Sequence, residues 1–175
     1  MAGAQKKVVV RRLDGGLRWG YLPLDGLRTT HKSPRMLEWM GTDGRLQSME
    51  LATVQWVAYV RDFNLNDPEQ PERFERRTYL ARPRGDGLWV RLTLLGGHVL
   101  EGLTGGGLPL IDLAMEAGGL LLTPPDTRGN LLRLFVPRSA MESMEVLGWM
   151  STRKAVALET HKQPHVQDEQ AELFE

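Results

Sequence analysis

The feature that most limits what this chain can fold into is a motif that occurs twice. Laid over "WVRLTLLGGHVLEGLT" (residues 89–104), the segment "KVVVRRLDGGLRWGYL" (7–22) places Val8 on Val90, Val10 on Leu92, Leu13 on Leu95, Gly15 on Gly97, Leu17 on Val99 and Gly20 on Gly102. Self-similarity of this kind marks a repeated supersecondary unit. Each copy reads as a strand, a tight Gly-rich turn and a second strand, because Asp14-Gly15-Gly16 and Gly96-Gly97 supply the positive φ that short hairpins need. The later glycine of each copy, Gly20 or Gly102, falls inside the second strand and predicts a sharp bend or a close backbone approach there.

A second apolar block follows each hairpin. In the first half it is "RMLEWMGTDGRLQSMELATVQWVAYVRDF" (35–63), with Thr42-Asp43-Gly44-Arg45 as a turn and "VQWVAYV" as a β-branched and aromatic strand. In the second half it is "GGLLLTPPDTRGNLLRLFVPRSAMESMEVLGWM" (118–150), with "PPDTRGN" as the turn. Five short strands per half, with little helical periodicity, predict an all-β protein made of two small, strongly bent antiparallel barrels. The expected division is an N-terminal barrel over 1–66, an Arg-rich linker over 67–86, a C-terminal barrel over 87–150 and a disordered tail over 151–175. The linker carries Pro, Gly and charge, but its Phe74, Tyr79 and Leu80 predict that it docks on the second barrel.

At these hairpins the chain resembles SH3-like and Sm-like barrels, in tandem. "ARPRGDGLWVRLTL", "EGL", "TPPD" and "VPRSA" also resemble an uncharacterised bacterial domain family over most of residues 76–148, a resemblance that implies no chemistry. A third resemblance is to PilZ domains, receptors for cyclic di-GMP, which carry an Arg-x3-Arg segment ahead of a barrel and an Asp/Asn-x-Ser-x2-Gly turn on its first strands. Arg73-Phe-Glu-Arg-Arg77 matches the first element, and the second falls on Gly102 to Gly107, where Thr104 and Gly107 fit. This resemblance implies a PilZ-like ligand site at Arg73, Arg77, Thr104 and Gly107. Gly102 stands where the pattern has an acid or amide, which removes an acceptor for the guanine edge.

Composition narrows the partners. The 22 basic and 22 acidic residues cancel, so no global field draws the 175-residue chain to nucleic acid or to an anionic membrane. Cysteine is absent, which removes thiolate chemistry and Cys-ligated zinc and fits a reducing, cytoplasmic location. The local exception is the cluster Arg73, Arg76, Arg77, Arg82 and Arg84, whose guanidiniums suit phosphate, although Glu69, Glu72, Glu75 and Asp86 are interleaved and predict local neutralisation.

No catalytic or metal set stands out. The histidines His31, His98, His161 and His165 fall at turns or in the tail, Glu101 reads as a strand-exposed acid, and no serine has a nucleophile-elbow context. Among the five tryptophans, Trp56 and Trp89 read as buried, and Trp19, between Arg18 and Gly20, as the candidate surface platform for a base. The expectation is a non-enzymatic interaction or regulatory module without cofactor, with a protein partner. The alternatives are a degenerate PilZ-like nucleotide receptor and an Sm-like nucleic-acid binder.

Overall fold

In a computed structural model, residues 5–23, 27, 36–105, 118–126 and 128–152 are described. They are all-β: β1 (Gln5–Arg12), β2 (Leu17–Pro23), β3 (Met36–Gly41), β4 (Leu46–Glu50), β5 (Val54–Val60), β6 (Gly87–Leu94), β7 (Val99–Thr104), β8 (Gly119–Leu122), β9 (Leu131–Pro137) and β10 (Met141–Met150). Single 3-10 turns precede β5 (Leu51–Thr53) and β10 (Arg138–Ala140).

The repeat is carried through at residue level. Val8 pairs with Gly20 across the first hairpin, and Val90 with Gly102 across the second. Arg12 N donates to Gly16 O at 2.8 Å and Leu94 N to His98 O at 2.8 Å, while Gly15 and Gly97 hold φ of 82° and 80°. The following strand then crosses the inner glycine in both copies. A Cβ on Gly20 would run into the Met40 carbonyl and the Trp39 ring, and one on Gly102 would lie 2.8 Å from Leu122 Cβ and 3.1 Å from Thr123 O. The bend predicted at these glycines is therefore a close approach of β3 and of the end of β8. The strands after the 3-10 turns match as well. β5 pairs with β1 and β10 with β6, each with a bulge one residue into the strand.

All registered pairs are antiparallel, in a seven-stranded sheet ordered β4-β3-β2-β1-β5-β9-β8 and a three-stranded sheet ordered β10-β6-β7. A bridge from Leu103 on β7 to Thr123, just past β8, links the two. Each half therefore lays its strands in the same order, but no pairing closes either half on itself among the described residues. The expectation of two separate closed barrels is corrected accordingly. The outer edge of β5 is taken by β9 from the other half, through Val57↔Phe135, Ala58↔Leu134 and Tyr59↔Arg133. That pairing satisfies backbone groups on both strands without either half having to curl shut.

Two apolar cores follow. Val9, Trp56, Ala58, Leu134 and Val136 face one shared with Leu88, Val90, Leu92, Leu94, Leu100, Leu120 and Leu122 of the second half. The alternate residues Val8, Val10, Val57, Tyr59 and Phe135 face another with Leu37, Trp39 and Leu51. Strands buried on both faces read as unbroken apolar runs, which is why "VVV" and "VQWVAYV" lack polar alternation. Each fully buried Val or Leu stabilises the fold by about 1.5–3 kcal/mol.

Candidate interaction edges and the docked connector

The connector between β5 and β6 is held by two buried carboxylates, one on each side. Glu72, in the connector itself, accepts from Arg11 Nε at 2.8 Å and Arg11 Nη2 at 2.7 Å, and from Trp56 Nε1 at 3.1 Å. Glu101, on β7, accepts from Arg91 Nε at 3.0 Å and Nη2 at 2.8 Å, from Trp89 Nε1 at 3.1 Å and from the Tyr79 backbone N at 2.9 Å. Arg11 grips both oxygens of Glu72, whereas Arg91 places Nε and Nη2 on Glu101 Oε1 and leaves Oε2 to Trp89 and Tyr79; in each case an arginine and an indole N–H together satisfy the buried charge. The Glu101 contact holds the Arg91 guanidinium above its ordinary pKa. Burial, followed by the neighbouring Glu101 charge, pushes the Tyr79 phenol up to about 12.

Sequence reasoning missed both anchors. Glu101 is 4% exposed rather than a strand-surface acid, and Glu72 pairs with Arg11 instead of neutralising its arginine neighbours. The available signal was the pairing of Trp with Arg on neighbouring strand positions, Trp89 with Arg91. Its acidic partner comes from across the hairpin, through the Arg91↔Glu101 pair.

The connector's aromatics divide between the halves. Phe74 tilts against Trp56 of β5 with centroids 5.9 Å apart, and Tyr79 stands edge-on to Trp89 of β6 at 6.0 Å. Leu80, expected to dock, is 82% exposed, so Phe74 and Tyr79 carry the docking without it.

The PilZ-like residues are placed as follows. Arg73 is exposed with φ of 48°, and Arg77 lies over Phe74 and meets His98 Nδ1 through its Nη1 at 3.2 Å. Thr104 is buried at the far end of β7, paired with Leu88, and Gly107 lies outside the described residues. At about 3.3 Å per residue, His98 and Thr104 are separated by about 20 Å along the strand. Among the described residues, no ion pair is formed by Arg73, Arg76, Arg77, Arg82 or Arg84, although Arg73 helps Lys7 to lower the Asp62 pKa. Trp19 is partly buried against the shared core rather than presented as a platform, and the exposed tryptophan is Trp149 on β10. His31, His161, His165 and the tail beyond Thr152 lie outside the described residues.

What the fold does present is a pair of strand edges. β4 and β10 end the two sheets, and each carries exposed apolar side chains, Leu46 on β4 and Val146 and Trp149 on β10. An open cleft of about 540 Å³ adjoins β4, lined by Arg12, Arg18, Trp39, Gln47, Ser48, Met49, Glu50 and Thr53.

The sequence pattern of one known family matches residues 4–148, a span that takes in both hairpins of the repeat, the connector, β4 and β10 as far as Gly148. The chain belongs to the DUF6982 family, a family of unknown function. No curated protein and no solved structure matches it. No helix among the described residues is long and apolar enough to cross a membrane.

Proposed function

We propose that this DUF6982 chain is a non-catalytic interaction module, built of two SH3-like five-strand units, that engages protein partners by strand addition at β4 and β10. The observation that carries this reading is a pair of strand edges, unpaired among the described residues, that carry exposed apolar side chains. An unpaired edge offers a row of backbone donors and acceptors to another chain, and natural proteins usually blunt such edges. Here β10 is the longest strand described, and its apolar residues Val146 and Trp149 are exposed among the described residues.

The test compares partners captured from native extract by wild type, Leu46→Lys and Val146→Lys. Loss of the bound proteins in either variant, with far-UV circular dichroism unchanged, is expected. Capture of the same set by all three proteins would overturn the reading. Isothermal titration with cyclic di-GMP separates the receptor alternative. No heat is expected, whereas micromolar binding, worth about 8 kcal/mol, that vanished in Arg77→Ala would replace this proposal.

A further inference from the structure

Taken laterally, and crossing the Leu103–Thr123 bridge, the strands run β4-β3-β2-β1-β5 and then β9-β8-β7-β6-β10. The second five repeat the first five in order, so β9 stands to its unit as β4 does to the other, and β10 as β5 does. The junction within the chain joins the last strand of one unit, β5, to the first strand of the next, β9. The two edges without a neighbouring strand among the described residues, β4 and β10, are the two sides of that same junction.

We propose that a second copy of this chain supplies the missing strand: β4 of one copy adds antiparallel to β10 of another, so that chains assemble head to tail. The proposal rests on the strand-edge reading above and names the partner. Its register follows from the repeat. Tyr59 faces Val8 as Val146 faces Val90, Ala58 faces Val9 as Glu145 faces Arg91, and Val57 faces Val10 as Met144 faces Leu92. On the other side, Leu37↔Met49 corresponds to Leu120↔Val136, and Trp39↔Gln47 to Leu122↔Leu134. Transferring the β5–β9 pairs sets Val146 opposite Leu46 of the partner copy, Glu145 opposite Gln47 and Met144 opposite Ser48. This brings together Val146 and Leu46, which are 46% and 69% exposed in the single chain, and none of the three pairs opposes like charges.

The contact uses two different surfaces, so it is heterologous. It propagates until a ring closes or an open filament forms. A two-fold dimer through β4 against β4, or β10 against β10, would need a register that the internal junction does not supply.

Because the chain has no cysteine, introduced thiols report the contact without background. Leu46→Cys and Val146→Cys are purified separately, mixed and oxidised. The expected result is a disulfide between one copy of each, little self-linking of either alone, and a ladder of covalent multimers from the double variant. Sedimentation of wild type is expected to give multiples of 19.7 kDa, with association at least tenfold weaker in Val146→Lys at unchanged circular dichroism.

A wild-type monomer at the highest soluble concentration overturns the proposal, as does self-linking of either single variant as readily as the mixture. A chain that assembles only after removal of residues 153–175 overturns it as well. If the chain is monomeric and Val146→Lys still loses a captured partner, self-assembly fails while the interaction reading stands.

Discussion

β5 and β10 hold the same place in the two units: each follows a 3-10 turn, carries a bulge near its start and pairs with the first strand of its unit. Their surroundings differ. All seven residues of β5 are buried, whereas Met150 is the one buried residue of the ten in β10. The cause is lateral, because β9 covers the outer edge of β5 and β10 ends its sheet. The two sequences have followed their neighbours. "VQWVAYV" carries no charge and only one amide, Gln55, while "MESMEVLGWM" mixes acids with apolar residues at equivalent positions, Glu145 standing where Ala58 does. A strand's place in the repeat thus fixes its pairing, and its lateral neighbour fixes its polarity.

The largest expected effect comes from exchanging that polarity. Ala58→Glu puts into the covered strand the residue that β10 carries, and burying an unpaired carboxylate between the sheets should cost at least ~4 kcal/mol. Urea denaturation followed by tryptophan fluorescence should find the variant largely unfolded. The reciprocal Glu145→Ala loses only an exposed contact with Arg91 and should shift stability by less than about 1 kcal/mol. A folded Ala58→Glu would show that the seam is less closed than the edge comparison requires.

The two connector anchors form the next comparison. Removing Glu72 leaves an Arg11 side chain only 16% exposed with the Glu69 carbonyl in place of a counter-charge and strands Trp56 Nε1, and Glu72→Ala should cost about 3–5 kcal/mol. Arg91 is 42% exposed and keeps Glu145 within 3.2 Å, so Glu101→Ala should cost less, about 2–3 kcal/mol. Limited proteolysis should cut the connector faster in both variants, and earlier in Glu72→Ala.

The smallest effect tests the repeat itself. Gly20→Ala runs head-on into the Met40 carbonyl, whereas Gly102→Ala meets Leu122 Cβ at 2.8 Å and the Thr123 carbonyl only at 3.1 Å, so its neighbours have less far to move. Losses of about 2–3 and 1–2 kcal/mol are expected, and thermal melting would rank them. Equal losses would mean that the two hairpins carry their crossing strands at the same distance after all.

Much of this architecture was legible beforehand. The hairpin register, the glycine turns and the "VQWVAYV" strand followed from local rules, because turn geometry and side-chain period act within a few residues. The anchors were not legible. Glu72 meets Arg11 from the far side of the chain, and nothing near Glu72 in sequence distinguishes it from Glu69 or Glu75. Leu80 and Trp19 were misplaced for the same reason: an apolar residue in a connector, or a Trp beside an Arg, has its exposure set by distant partners.

By itself, then, the sequence determined that this chain is all-β, that it contains one five-strand unit twice, and where each hairpin turns, since backbone conformation at glycines and strand periodicity are local properties. Only the tertiary structure decided that the units join through β5 and β9 instead of closing separately, and that Glu72 and Glu101 are interior ion pairs. It alone also placed β4 and β10 at the ends of the strand order. Those outcomes depend on which edges and side chains meet across long chain separations, where the energy lies in desolvation and shared backbone pairing rather than in any residue's own preference.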